Sequence, residues 1–290
     1  MSECSATKCG TTPACGGCSS NPQPLETAKA RAIKKTLSGI RHTLFVMSGK
    51  GGVGKSAVTV NLAVALANTG LKVGILDVDM HGPSVPSLLG VTDHLSAKDE
   101  EILVPAYYQD KIAVVSMDSL LSDRDTAIIW RGPKKTAAIH QFISAVAWGE
   151  LDVLLIDSPP GTGDEHLAIL QTMPDARCLM VTTPQEISLA DVRKALNFIK
   201  KIDAKLLGIV ENMSGLSCPH CGGSIDLFSS GGGEKLAKER DVPFLGRIPI
   251  DPSMLVAADT QCPMADLPGE FPAKDAFLQL AATVKKQLFS

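Results

Sequence analysis

The chain has 290 residues, with 28 Lys and Arg against 31 Asp and Glu and a formal net charge of −3. Its 44% hydrophobic content supports a sizeable core, in one large domain or two small ones. The near-balanced charge excludes a surface devoted to nucleic acid, and 4% aromatic residues are too few for a base-stacking platform.

In the first half of the chain the longest wholly apolar run is Leu62–Ala67, far short of the roughly 20 residues that span a bilayer. The opening MSECSATKCG has no apolar segment of the secretory kind. A cytoplasmic protein is expected, with neither membrane nor nucleic acid as a partner. Its cysteines agree with that. Cys4, Cys9, Cys15 and Cys18 crowd the start, Cys178 and Cys262 stand alone, and Cys218 and Cys221 repeat the C-x-x-C spacing of Cys15 and Cys18. In a large cytoplasmic chain such clusters favour metal or redox chemistry over structural disulfides.

Residues 1–24 hold hardly any large apolar side chain, so they predict a flexible tail unless a metal folds it. Four thiols there could hold zinc or an iron–sulfur cluster. Leu25–Ile40 predicts a helix with a solvated lysine face. From Arg41 onward strand and helix alternate. Strands are expected at Thr43–Met47, Lys72–Leu76, Ile112–Ser116, Leu151–Ile156, Arg177–Val181, Leu206–Val210 and Pro243–Ile248. Helices are expected at Ala57–Asn68, Lys135–Trp148, Leu189–Ile202 and Glu234–Arg240. The continuous apolar run of LDVLLI suits a strand covered on both faces. The fold class is α/β: three layers, a mostly parallel central sheet with helices on both faces, and ligands at the carboxyl ends of the strands.

Between the first strand and the next helix lies Gly49-Lys50-Gly51-Gly52-Val53-Gly54-Lys55-Ser56, with Ala57 opening the helix. This is a P-loop: glycines turn backbone N–H groups toward phosphate oxygens, and the helix adds its positive end. Lys55 is expected on the β- and γ-phosphates of ATP and Ser56 on Mg²⁺. Residues 25–290 are therefore expected to form one P-loop ATPase domain. Asp157 ends a buried strand and suits the Mg²⁺ shell. Asp77 and Asp79 end another strand. Asp79 is the candidate to orient or deprotonate the attacking water, with Asp77 nearer the Mg²⁺. His81, just beyond, gains no role.

The blocks SGKGGVGKS, LDVDMHGPSVPSLLG, LLIDSPPGTGDEHL, VTTPQEISLADVRKA, GIVENMSGLSCPHCG and LGRIPIDPSM together resemble the Mrp/ApbC family of P-loop ATPases. These are relatives of the eukaryotic cytosolic iron–sulfur scaffold ATPases within the MinD/ParA-like class, and the similarity spans about residues 36–285. It implies an ATP-dependent carrier that binds a [4Fe–4S] cluster at a homodimer interface and passes it to apo-proteins, working with cluster-assembly proteins. It also implies that Lys50, the extra lysine of this deviant Walker A loop, reaches the partner's phosphates; a solvated lysine is the alternative.

The family's cluster ligands fall on Cys218 and Cys221. A cubane cluster takes four thiolates, and two facing copies supply them. A zinc knuckle and a redox disulfide are the other readings of that pair. By the same resemblance Asn212 reads the adenine ring and Pro249 lines the base pocket; a turn asparagine and a rigid loop proline are their plain alternatives. The N-terminal cysteine spacing departs from that of the eukaryotic branch, which leaves the metal role of Cys4, Cys9, Cys15 and Cys18 open. Cys178, inside a strand, reads as a buried structural thiol; Cys262 gains no role.

Rival functions are a MinD/ParA-type positioning ATPase, a nucleotide-gated electron donor like nitrogenase reductase, and a zinc-binding regulatory ATPase. The first, in its membrane form, needs an amphipathic anchor. The C-terminal DAFLQLAATVKKQLFS fits a docking helix at least as well. The second uses separated single cysteines rather than an adjacent pair.

Overall fold

The computed structural model describes residues 28–79, 82–91, 96–98, 102–116, 132–218, 221, 223–225 and 227–290. The expectations for Cys4, Cys9, Cys15, Cys18 and His81 therefore lie outside the described residues.

The chain runs α1 (Ala28–Leu37), β1 (Ile40–Ser48), α2 (Lys55–Ala67), β2 (Val73–Asp77), α3 (Val85–Leu89), β3 (Ser96–Lys98), β4 (Ile102–Val104), β5 (Ala106–Tyr108), β6 (Ile112–Ser116) and α4 (Gly132–Ala145). It continues β7 (Leu151–Asp157), α5 (Asp164–Thr172), β8 (Arg177–Thr182), α6 (Glu186–Lys201), β9 (Lys205–Glu211), β10 (Leu216–Ser217), β11 (Ser224–Ile225), α7 (Gly232–Glu239), β12 (Phe244–Arg247), α8 (Ser253–Asp259) and α9 (Pro272–Phe289). Eight strands form the main sheet in the order β12-β9-β8-β1-β7-β2-β6-β5. All neighbours are parallel except β5, which closes one edge antiparallel to β6.

The apolar strands work because side chains alternate across the sheet. Leu44 and Val46 of β1 and Val153 and Leu155 of β7 enter the core shared with α2 and α9. Phe45 and Met47, with Leu154 and Ile156, enter the opposite core under α4, α5, α6 and α7. A strand that must be apolar on both faces gives a continuous run, as LDVLLI does. The expected three-layer α/β class is what forms.

Several boundaries differ from those expected. β1 starts at Ile40, before the expected Thr43, and takes in Arg41 and His42, the first exposed and the second half-buried at its entrance. The helix expected at Lys135–Trp148 ends at Ala145, because the chain turns there to bridge Val146 with Leu103. Pro243 stays outside β12; its carbonyl accepts from Ile209 N while its ring leaves no N–H to donate. α3, α5, α8 and the strands β3, β4, β5, β10 and β11 lacked a readable period, being only two to nine residues long.

The C-terminal segment is a docked helix. α9 buries Ala273, Phe277, Leu280, Ala281, Val284 and Leu288, and it packs along α2. Among the described residues no helix is long and apolar enough to cross a membrane.

Candidate functional site

The carboxyl ends of β1, β2 and β7 meet at the sheet centre, and residues 49–54 leave β1 there before α2 begins. Two glycines in that loop are dictated by neighbours. A Cβ on Gly49 would lie 2.6 Å from the carbonyl carbon of Asp191 in α6. Gly54 holds φ +78°, and a Cβ there would lie 2.3 Å from Asn212 Nδ2. The loop rims a cleft of about 300 Å³ lined by residues 50–57 and Asp79, with Ser48, Ser84, Leu88 and Pro160. Of the expected nucleotide-site residues, Lys50, Gly51, Gly52, Val53, Gly54, Lys55, Ser56, Ala57 and Asp79 thus come together on one opening. Gly49 braces the loop from behind.

Asp157 lies under this cleft, fully buried. Lys55 Nζ is 2.7 Å from its Oδ2. Ser56 Oγ donates to the same oxygen at 2.5 Å, and Thr59 Oγ1 donates to Oδ1 at 2.7 Å. Thr59 had no motif to announce it. Its only signal is a hydroxyl one turn past the P-loop, in a helix whose later residues are apolar except for Asn61.

Asp77 is the lateral partner of Asp157 on the neighbouring strand. It accepts from Asp79 N at 3.0 Å, Val85 N at 3.3 Å and Ser116 Oγ at 3.4 Å. Burial, and then the charge of Asp157, push its carboxyl well above the usual carboxylate range. Asp77 thus braces the turn that presents Asp79, and it does not line the cleft.

Beyond β7, His166 is buried at the start of α5, where its Nδ1 accepts from Gly163 N at 3.2 Å. Its ring meets Phe45 edge to face with centroids 5.6 Å apart. Burial drives its pKa down to about 4, so the ring stays neutral and keeps this acceptor. The loop from Pro159 to Gly163, which includes the cleft residue Pro160, is held at its far end by this ring.

On the other side of the loop β9 ends at Glu211. Asn212 follows, and its Nδ2 donates to Val53 O at 2.9 Å. Pro249 follows Ile248, whose backbone N donates to Glu211 O and whose carbonyl accepts from Ser214 N. The segment that carries Asn212 is thus tied to the residue before Pro249, and neither Asn212 nor Pro249 lines the 300 Å³ cleft.

Cys218 and Cys221 sit at the turn of the antiparallel pair β10–β11, where Cys218 N donates to Gly223 O at 2.8 Å. Cys218 is half-buried and Cys221 exposed. Ile225, Leu227 and Phe228, just after them, are exposed large apolar side chains. Among the described residues no three His, Cys, Asp or Glu side chains gather as a metal cage. Cys178, as expected, is buried in β8, and burial raises its thiol pKa to about 12, which keeps it inert. Cys262 is half-buried.

Residues 39–285 match the family model described as ParA: NUBPL iron-transfer P-loop NTPase. The chain belongs to this family. This NUBPL-type NTPase is 48% identical over 265 residues to the iron-sulfur cluster carrier protein of Methanocaldococcus jannaschii, covering 91% of each chain. It is 45% identical over 265 residues to the human cytosolic Fe-S cluster assembly factor NUBP2, covering 90% of this chain and 97% of that one. Among solved structures, a nucleotide-binding protein from Archaeoglobus fulgidus in complex with ADP superposes with a TM-score of 0.71 at 42% identity, over 80% of this chain and 91% of the other. The Pyrococcus furiosus cell-division ATPase MinD gives 0.63 at 25% identity, over 85% and 99%. The family match nearly coincides with the span of residues 36–285 over which the motifs resemble Mrp/ApbC proteins.

Proposed function

We propose that this NUBPL-type NTPase is an ATP-dependent carrier of a [4Fe–4S] cluster, which two copies hold jointly on Cys218 and Cys221 before passing it to apo-proteins. The observation that carries the reading is the thiol pair: two sulfur ligands on a surface turn, half of what a cubane cluster needs. An isologous dimer completes the set, and a cluster shared between two chains is released by separating them. The exposed Ile225, Leu227 and Phe228 beside the thiols suit a protein contact. The names of the archaeal and human relatives support the same cargo, and the human relative's name supports a cytosolic setting with other assembly proteins.

ATP fits the cleft through residues of this chain. Ser56 Oγ and Asp157 Oδ2, a hydroxyl and a carboxylate 2.5 Å apart at a strand tip, form a hard oxygen donor set that fits Mg²⁺. Bound there, the ion would neutralise developing phosphate charge. Lys55 must leave Asp157 to reach the β- and γ-phosphates, so nucleotide exchanges one charge pair for another. Asp79, on the cleft wall, is the group to orient the attacking water. Lys50, which lines the cleft, would meet the partner's phosphates, and this would give hydrolysis a reason to wait for the closed dimer. Slow turnover by the isolated chain follows.

Residues 25–290 would act as one ATPase unit, with Cys4, Cys9, Cys15 and Cys18 available for a second metal. The test is anaerobic reconstitution of the full chain beside Cys218→Ala/Cys221→Ala, with iron and sulfide counted. Whatever the N-terminal thiols hold, wild type should carry about four more of each per two chains than the variant. A variant that keeps its full cluster would overturn the assignment, and zinc in place of iron would favour the knuckle reading.

A further inference from the structure

Glu211 is a buried carboxylate that neither nucleotide binding nor hydrolysis calls for. Its Oε1 accepts from Ser214 Oγ at 2.5 Å and from Gly231 N at 2.8 Å, and its Oε2 accepts from Gly233 N. Arg247 Nε lies 3.7 Å from Oε1 and balances the charge. Ser214 and Gly231 are the two ends of an excursion, residues 215–230, that carries Cys218 and Cys221. One carboxylate therefore clasps the neck of the thiol-bearing segment from both sides.

The adjacent side chain points the other way. Asn212 Nδ2 donates to Val53 O inside the P-loop, in space that any Cβ on Gly54 would need. Met213 follows in a left-handed conformation, φ 56°, and its Cε lies 3.6 Å from that same missing Cβ. Such a backbone persists in a residue with a side chain only where its surroundings over-determine it. Here they do: Ser214 N donates to Ile248 O, and Gly215 O accepts from Ile250 N. The path from the phosphate loop to Cys218 is six residues long and fixed at nearly every step.

We propose that the dipeptide Glu211–Asn212 is a positioning element that makes the P-loop and the thiol excursion one mechanical unit, so that nucleotide at the loop and metal at Cys218/Cys221 change each other's affinity within a single chain. The inference rests on the reading of Cys218/Cys221 as metal ligands. It adds a route that needs no partner: movement of Val53 as the loop closes on phosphate shifts Asn212, and the Glu211 clasp carries the shift to both ends of the excursion. Linkage then demands reciprocity, metal altering nucleotide affinity by the same factor.

Co²⁺ titration of the full chain, read by its thiolate-to-cobalt absorption with the Cys218→Ser/Cys221→Ser signal subtracted, tests this with and without Mg²⁺–ADP. Runs at several dilutions hold the chain monomeric. In wild type the nucleotide should change the Co²⁺ dissociation constant at least about fivefold. In Glu211→Gln, and in the milder Ser214→Ala, cobalt should still bind but the nucleotide effect should fall below about twofold. A merely structural clasp would lower thermal stability and leave that ratio intact, which would overturn the proposal. So would a wild-type pair whose cobalt affinity ignores nucleotide, with the metal reading left standing. No Cys218/Cys221-dependent cobalt signal at all would remove the metal reading and this proposal with it.

Discussion

Lys55 Nζ and Asp157 Oδ2 stand 2.7 Å apart, with the two side chains 7% and 0% exposed. The P-loop lysine is thus paired with the carboxylate at the tip of β7. A buried pair of this kind adds little net stability, but removing one partner strands a charge. Thr59 shares the load by donating to the other carboxylate oxygen. Thr59→Ala should cost about 2 kcal/mol, the worth of a buried hydrogen bond to a charged group. Asp157→Ala should cost more, about 3–5 kcal/mol. Urea denaturation of the full chain checks both; equal losses would mean that the carboxylate is not the organising charge.

Lys50 lines the cleft without being the lysine of the buried pair. If it serves the partner's phosphates, Lys50→Ala should leave ADP affinity within a few-fold while turnover drops on the order of 10³-fold, as for a residue acting in trans. Calorimetric ADP binding set beside steady-state ATP hydrolysis separates the two. A matching loss in both would make Lys50 an ordinary phosphate ligand.

Asp79→Asn keeps the shape of the cleft wall and removes the base. Turnover should fall about 10²–10⁴-fold with little change in nucleotide affinity. Asp77→Asn should act differently, since that carboxyl accepts from Asp79 N, Val85 N and Ser116 Oγ and does not line the cleft. Its effect should show first as reduced stability in urea. The reverse pattern would exchange the two assignments.

His166 has a pH signature. Its pKa falls from 6.5 to about 4 on folding because of burial. The unfolded chain therefore binds the proton first, and stability is full above pH 6.5 and lost as pH falls toward 4. The loss attributable to this ring is up to about 3 kcal/mol. His166→Asn, which keeps an acceptor for Gly163 N but cannot titrate, should lack that part of the decline. Urea midpoints between pH 7 and pH 4 for both proteins decide it; parallel curves would place the acid sensitivity elsewhere.

What the sequence showed and hid follows from how far apart the partners lie. Gly49–Ser56 is contiguous, and loop, lysine and hydroxyl are legible because the chain itself brings them together. Asp157 is legible because an apolar strand points at it. Thr59 is not, since its partner is 98 positions away and the two meet only through the placing of α2 over β7. The same holds for Asn212 and Val53, 159 positions apart. The resemblance named Asn212, while its contact with the loop came only from the fold. Asp77 and Asp79 look equivalent in ILDVD; β2 ends at Asp77, which stays in the buried layer while Asp79 emerges beyond it. The edge strand β5 is three residues long, too short for any period to be seen.

The sharing of one cluster by two copies is tested most directly by sedimentation velocity under anaerobic conditions, following the visible absorption of the reconstituted cluster. The colour that Cys218→Ser/Cys221→Ser loses should travel, in wild type, at the rate of a dimer. Colour that moves with the single chain, at full intensity, would contradict the account.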